Sequence, residues 1–124
     1  MEKTEFIAIR KRLAKTQREL SELLGVSLKA ISSYEQGWRN IPVHVERQLL
    51  FLLAQKNNRF SQDCWDVRQC SEEVKQNCPA WEFNAGHLCW FINGTICDNE
   101  VMKSWESKIA VCRKCPVFKA QVNL

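Results

Sequence analysis

All seven cysteines of this 124-residue chain lie in its second half, between residues 64 and 115. The same half carries four of the five tryptophans, whereas positive charge is concentrated in the first half. Residues 1–59 hold 11 Lys and Arg against 6 Asp and Glu, and residues 60–124 hold 7 against 8. A chain of this length has room for two small domains. The composition therefore predicts two modules, residues 1–58 and residues 59–124.

The cysteine count also bears on the compartment and the chemistry. Seven is an odd number, so a closed framework of disulfides cannot use every cysteine. The N-terminal segment has no apolar run of the kind a secretory signal peptide needs, and no stretch is long and apolar enough to span a membrane. We therefore expect a cytoplasmic protein whose thiols stay reduced, and metal or redox chemistry becomes the first explanation for them. No Ser/His/Asp set or carboxylate pair stands out, so we do not expect an enzyme.

The first module carries the apolar spacing of short amphipathic helices over residues 5–55. The segment TQRE (16–19) predicts a capping box at the start of a helix. Further boundary residues are Gly25 and Gly37 at helix ends, Ser27 as an N-cap and Pro42 in a first turn. Two short helices joined by LGVS have the sequence form of a helix-turn-helix.

The segment TQRELSELLGVSLKAISSYEQGWRNIP (16–42) resembles the phage-repressor (Xre-type) helix-turn-helix family. The residues that match the family pattern are Gln17, Leu20, Gly25, Val26, Ser27, Ile31, Ser32, Glu35, Gly37 and Pro42. The chain departs from the family at Ser21, where Ala is usual. The resemblance implies a bundle of four to five helices that binds double-stranded DNA as a homodimer, on a palindromic operator.

The resemblance also assigns side chains to DNA. The helix that begins at Ser27 is expected in the major groove, where Leu28, Lys29 and Ser33 occupy the positions that read bases. Gln17 is expected to hold a phosphate at the start of the preceding helix, and other polar side chains are expected to fix the register on the backbone. The complete set of expected DNA contacts is Gln17, Arg18, Ser27, Leu28, Lys29, Ser32, Ser33, Arg39 and Asn40.

The cysteine spacing of the second module leaves more than one metal chemistry open. A zinc ribbon needs two closely spaced pairs, and the chain has one, Cys112-x-x-Cys115; His87 offers an additional ligand beside Cys89. Cys78 and Cys115 are each followed by Pro, as at the end of a ferredoxin ligand run. Four thiolates in an apolar, Trp-rich setting suit a [4Fe–4S] cluster. A reactive dithiol at 112 and 115 is a third possibility, although the βαβ context of a thioredoxin-like site is absent.

The pattern CWDVRQC…CPAW…GHLCWFINGTIC…K…CRKCPVF (64–118) resembles the two-CW domain, and this resemblance covers all seven cysteines. The chain departs from that family at residues 98–99, where Asp-Asn replaces the usual Gly-Gly. The resemblance implies metal or redox sensing. The first choice of ligands is Cys78, Cys97, Cys112 and Cys115, and the reserve set is Cys64, Cys70 and Cys89.

Taken together, the sequence predicts a mainly α protein, with a repressor-type helix-turn-helix bundle and a small cysteine-rich, metal-bound α or α+β domain. In the second module we expect helices over 71–77 and 99–112 and a hairpin within 89–97. The leading hypothesis is a transcription regulator whose DNA binding depends on a [4Fe–4S] cluster that responds to redox state or oxygen. The alternatives are a regulator with a structural zinc site and, least favoured, a thiol-redox protein.

Overall fold

The computed structural model describes residues 1–57, 63–67, 69–86, 88–92, 94–97 and 100–122. The fold is mainly helical, as predicted. The described chain divides into two compact units, the first of which ends at Asn57. The predicted domain boundary between residues 58 and 59 lies outside the described residues.

The first unit consists of four helices: α1 (Lys3–Arg12), α2 (Gln17–Leu24), α3 (Leu28–Gln36) and α4 (Val43–Asn57). Its core is formed by apolar side chains from all four helices, which are almost completely buried: Phe6, Ile9, Leu20, Ile31, Val45, Leu49, Leu50 and Leu53. Tyr34 meets Phe6 edge to face, with ring centroids 5.9 Å apart. Burying each of these larger side chains contributes about 1.5–3 kcal/mol, so tertiary packing stabilises helices this short.

The helix boundaries of the first unit confirm the chemical signals in the sequence. The Thr16 hydroxyl accepts from the Glu19 amide and the Glu19 carboxylate accepts from the Thr16 amide, which completes the capping box of α2. Gly25 and Gly37 end α2 and α3 with φ of 68° and 79°, a left-handed conformation that a side chain disfavours. Pro42 directly precedes α4 and its carbonyl accepts from the Glu46 amide.

The second unit consists of short elements, and it is α+β. The helices are α5 (Cys64–Val67), α6 (Glu72–Asn77), α7 (Pro79–Glu82), a 3₁₀ helix (Cys89–Phe91), α8 (Trp105–Cys112) and α9 (Pro116–Gln121). Strands β1 (Ile96–Cys97) and β2 (Glu100–Val101) pair antiparallel. The core of this unit centres on Trp90, which is fully buried, stands edge-on to Phe118 and donates to Gln121 Oε1 over 2.7 Å.

Of the local predictions for the second unit, the hairpin within 89–97 is wrong and the helix over 99–112 is confirmed only in its C-terminal part. The hairpin expected within 89–97 is replaced by the 3₁₀ helix, which brings the Trp90 indole against Phe118. The helix expected over 99–112 begins at Trp105, because Met102 instead continues the strand pairing through its amide and carbonyl. The helix expected over 71–77 is confirmed as α6, with Ser71 as its N-cap.

Candidate DNA-binding surface and cysteine cluster

The N-terminal end of α3 presents two of the expected base-reading side chains to solvent. Leu28 is 40% exposed and Lys29 is also exposed. Ser27 caps the helix, since its hydroxyl accepts from the Ala30 amide over 3.0 Å, and its residue remains exposed. Ser32 is half-buried and its hydroxyl accepts from Gln36 Nε2. The described surface therefore offers one cation and one apolar side chain at the helix start.

Ser33 does not have the outward placement that the sequence predicted. It is 6% exposed, and its hydroxyl donates to the Lys29 carbonyl over 2.9 Å. A serine is short enough to bond back to its own helix, which removes the hydroxyl from the surface. The expectation that Ser33 faces outward to read bases is therefore wrong.

A hydrogen-bonded network joins α1, α2 and α3 behind this surface. The Arg10 guanidinium donates to the Glu35 carboxylate, with Nη2 and Oε1 2.8 Å apart, and also to the Lys15 carbonyl. Gln17 Nε2 donates to Glu35 Oε2 over 2.7 Å. The Glu35 side chain is only 7% exposed, so these donors satisfy a nearly buried carboxylate. Gln17 keeps one amide hydrogen that can donate to a phosphate, and its carbonyl oxygen can accept from water.

The loop after α3 is the other polar edge of this surface. Arg39 and Asn40, both expected phosphate contacts, are exposed there, as is Arg18 on α2. Trp38 precedes them and is 77% exposed. A tryptophan this accessible beside Arg and Asn is a candidate contact that the family pattern did not assign. The signal available in the sequence was its position, directly after the glycine that ends α3.

Residues 7–45 match the helix-turn-helix family model HTH_3. That segment runs from α1 to the start of α4, and includes both turn glycines and the Arg10–Glu35–Gln17 network. The first unit carries a helix-turn-helix domain. A domain of this type supports a DNA-binding transcription regulator. The match does not extend to the cysteines, and no curated protein and no solved structure matches the chain. In the part of the chain that the structure describes, no helix is long and apolar enough to cross a membrane.

The cysteines of the second unit form two groups that share one member. In the first group, Cys64 packs with Cys78 and Cys89, together with Ala80 and Ile96. The Ile96 amide donates to Cys78 Sγ over 3.3 Å. Amide hydrogen bonds to sulfur are among the features that set the potential of thiolate-bound clusters.

The second group surrounds Cys112 on α8. Cys89, Cys97 and Cys115 lie close enough to influence its ionisation. Burial raises the pKa of the Cys112 thiol to about 12, and the Lys108 ammonium opposes that rise. A hydrogen bond with Cys64, followed by burial, raises the pKa of the Cys89 thiol strongly as well. Without a metal, both thiols are therefore neutral near pH 7.

These two groups differ from the ligand set that was expected from the sequence. The expected ligands Cys97, Cys112 and Cys115 are neighbours, but they are joined by Cys89 from the reserve set. Cys78 is connected to them through Cys89, and Cys70 is half-buried in the segment after α5. His87 lies outside the described residues. Among the described residues, no three His, Cys, Asp or Glu side chains already stand in ligating positions, so binding a metal would require thiol side chains to rotate.

Sequence reasoning missed Lys108. Its side chain is fully buried on α8, and its ammonium donates to the Thr95 hydroxyl. Lys108 precedes Cys112 by four residues, the spacing that places both on one helix face. That spacing, with the burial expected of a helix in a cysteine-rich core, was the signal in the sequence. Soft thiolates bind zinc and iron–sulfur clusters, and such a centre carries negative charge. A buried cation beside several thiols is suited to a centre of that charge.

Proposed function

We propose that this protein is a cytoplasmic DNA-binding transcription regulator, and that its second unit holds a [4Fe–4S] cluster that controls DNA affinity. The DNA-binding part is supported by the helix-turn-helix match and by the exposed start of α3. The cluster is supported by one observation above others: Cys89, Cys97, Cys115 and the buried Lys108 all lie near enough to Cys112 to influence its ionisation. The protein acts by binding, and no catalytic step is assigned to it.

On DNA, α3 enters the major groove with its N-terminal end toward the bases. Lys29 donates to guanine acceptors, and Leu28 contacts a thymine methyl or excludes water. Arg18, Arg39 and Asn40 hold phosphates, and these contacts fix the register without reading sequence. The protein binds as a homodimer, so that two copies of α3 meet related half-sites of a palindromic operator.

In the second unit, Cys89, Cys97, Cys112 and Cys115 are the primary ligand set, and Cys78 and Cys64 are the nearest alternates. When bound, a [4Fe–4S] cluster supplies one-electron redox chemistry and sensitivity to oxygen. The chain's own contribution is the burial of Cys78, Cys89, Cys112 and Cys115, together with the Ile96 amide on the Cys78 sulfur. A change in charge or order there alters the spacing of the two DNA-binding helices across the dimer. Coupling of about 1–3 kcal/mol changes affinity about 5- to 150-fold.

The alternatives differ in how well the structure supports them. A structural zinc site uses the same thiols and predicts no redox response. The dithiol alternative needs a reactive, accessible thiolate with a lowered pKa. Cys112 and Cys115 are both buried, and the pKa of Cys112 is raised. These properties are those of an inert thiol or an unloaded metal ligand, so they disfavour thiol–disulfide chemistry.

The DNA-binding proposal is tested by selecting preferred duplexes from a random pool and comparing variants on the selected site. We expect Lys29→Ala to lose about 1–3 kcal/mol of discrimination at one base pair. Lys11→Ala, which removes an exposed cation from α1, is the matched control and keeps the sequence preference. If the unmodified protein selects no sequence, the proposal fails; if Lys29→Ala keeps full discrimination, the assignment of Lys29 fails.

The cluster is tested by purifying the chain without oxygen and measuring iron, sulfide and the absorption spectrum. Iron and sulfide in equal amounts with a brown colour support the proposal. A colourless protein with one zinc per chain supports the zinc alternative, and a colourless protein without metal overturns both. DNA affinity is then compared between the reduced, air-exposed and metal-stripped forms, and equal affinity in all three contradicts regulation by the cluster.

A further inference from the structure

We propose that Lys108 is a positioning residue whose fixed positive charge balances an anionic metal–thiolate centre in the second unit. This inference rests on the proposed metal site and adds a residue that the ligand pattern does not contain. The same chemistry applies to either metal, because zinc and [4Fe–4S] centres with four thiolates both carry a net charge of about −2.

The burial of Lys108 is the first observation behind this proposal. Its side chain has no exposure to solvent, and Thr95, which accepts from its ammonium, is 1% exposed. An ammonium is rarely buried unless it is paired, because removing it from water is costly. In the part of the chain that the structure describes, no carboxylate is paired with Lys108. A neutral hydroxyl compensates for only a fraction of that cost, so a nearby anion would stabilise the buried ammonium.

The fold places this charge among the thiols. Lys108 and Cys112 are four residues apart on α8 and share its buried face. α8 packs against the 3₁₀ helix that begins at Cys89, and against α9, which follows Cys115. Thr95, which holds the ammonium, lies two residues before Cys97. Four thiol-bearing segments therefore meet around one buried cation.

Lys108 affects the metal-free and the metal-bound site differently. Before a metal binds, the buried ammonium is left with the Thr95 hydroxyl as its hydrogen-bond partner. When a metal binds, each ligating thiol releases its proton to solvent and the centre becomes anionic. The ammonium then opposes that negative charge in a medium of low dielectric constant, where such interactions are strong. Lys108 should thus destabilise the empty unit and stabilise the loaded one.

A purely structural lysine predicts something different. If Lys108 only fills space and holds Thr95, replacing it lowers the stability of the metal-free protein and leaves the intrinsic metal affinity unchanged. If it is a counter-charge, a neutral residue of similar shape leaves the metal-free protein as stable or more stable, because a buried unpaired charge has been removed. The loss then appears only when the metal is bound.

The decisive variants are Lys108→Met, which removes the charge, and Lys108→Arg, which keeps it. Lys103→Met removes an exposed lysine just before α8 and is the matched control for net charge. Thr95→Val removes the hydroxyl partner while keeping the cation, and provides a second variant if Lys108→Met does not fold. Full-length proteins are compared anaerobically. Co²⁺, followed by thiolate-to-cobalt absorption, probes the zinc arm, and reconstitution with iron and sulfide probes the cluster arm.

We expect Lys108→Met to bind Co²⁺ about 10- to 100-fold more weakly, while its metal-free unfolding temperature is unchanged or higher. Lys108→Arg should recover most of the affinity, and Lys103→Met should match the unmodified protein. In the cluster arm, Lys108→Met should have a more negative midpoint potential, because reduction adds negative charge that the ammonium no longer offsets. Thr95→Val should also weaken Co²⁺ binding and lower the midpoint potential. Both effects should be smaller, because the cation is kept and only its hydrogen-bond partner is lost.

Each other outcome overturns a distinct statement. If the unmodified chain binds neither Co²⁺ nor a cluster, the proposed metal site fails and this inference fails with it. If the unmodified chain binds metal and Lys108→Met binds it equally well, the metal site stands and the counter-charge is refuted. If Lys108→Met lowers metal-free stability and leaves the affinity or potential unchanged, Lys108 is a structural residue.

Discussion

At the scale of single residues, Glu35 is the central polar group of the helix-turn-helix unit. Its carboxylate accepts hydrogen bonds from Arg10 of α1 and from Gln17 of α2. The Arg10 side chain is 18% exposed. Removing one partner from a buried ion pair leaves an uncompensated charge, and costs about 3–5 kcal/mol when burial is complete. Arg10 retains some access to water, so the cost here should fall below that range.

We therefore expect Glu35→Gln to lower the free energy of unfolding by about 2 kcal/mol, because it leaves the Arg10 charge without its partner. Urea unfolding followed by circular dichroism measures this loss. Glu22→Gln removes an exposed carboxylate from α2 and should change stability by less than about 0.5 kcal/mol. A Glu35→Gln protein as stable as the control would mean that the network contributes orientation of Gln17 and little stability.

At the scale of elements, the start of α3 combines a structural role with a predicted contact to DNA. The Ser27 hydroxyl caps the helix, and the same residue is exposed and belongs to the expected DNA contacts. Asp is as good an N-cap as Ser, whereas Ala is poor. The two replacements therefore separate the two roles.

We expect Ser27→Ala to lower stability by about 1 kcal/mol, through loss of the cap. Ser27→Asp should keep the stability, and its negative charge should still weaken DNA binding by repelling the phosphates. Thermal unfolding and titration of labelled duplex DNA at fixed salt measure the two effects on the same proteins. If Ser27→Asp bound DNA as tightly as the unmodified chain, the start of α3 would not lie close to the DNA.

How far the sequence predicted each element depends on whether its cause is local. The capping box, the two helix-ending glycines and α6 follow from residues within one turn of each boundary, and all were predicted correctly. The 3₁₀ helix at Cys89 depends on where Phe118 lies, about 30 residues away along the chain, and no local pattern predicts that contact. Ser33 was misplaced for a different reason, since a family position was assumed to face outward whichever side chain occupies it.

The same distinction applies to the cysteines. Spacing along the chain identified Cys112 and Cys115 as one segment of a site and ranked Cys89 low. The fold brings Cys89 next to both groups of thiols, because the 3₁₀ helix packs against α8. The role proposed for Lys108 also depends on its burial and on its hydrogen bond to Thr95, neither of which the spacing along the chain indicates. The proposed ligand set therefore depends on three-dimensional packing as well as on residue type and spacing.

At the scale of the whole molecule, the two units differ in what stabilises them. The first has a continuous core of aliphatic side chains from four helices. The second has short elements, and its buried residues include four thiols, one lysine and one glutamine beside a few large apolar side chains. A unit of this size is marginal without a metal or other cross-link, because a small domain buries a lower fraction of its surface.

Removing the proposed metal should therefore loosen the second unit and leave the helix-turn-helix unit intact. Hydrogen–deuterium exchange read by mass spectrometry reports on both in one sample, since peptides from α1–α4 and from α8–α9 are separate. After anaerobic chelation we expect faster exchange in α8 and α9, and unchanged exchange in the buried turns of α1 and α4. Lys108→Met supplies a second comparison, because its metal-free form should exchange no faster than the metal-free unmodified protein. Equal acceleration in α1–α4 would contradict separate stabilisation, and would mean that the helix-turn-helix core itself depends on the bound metal.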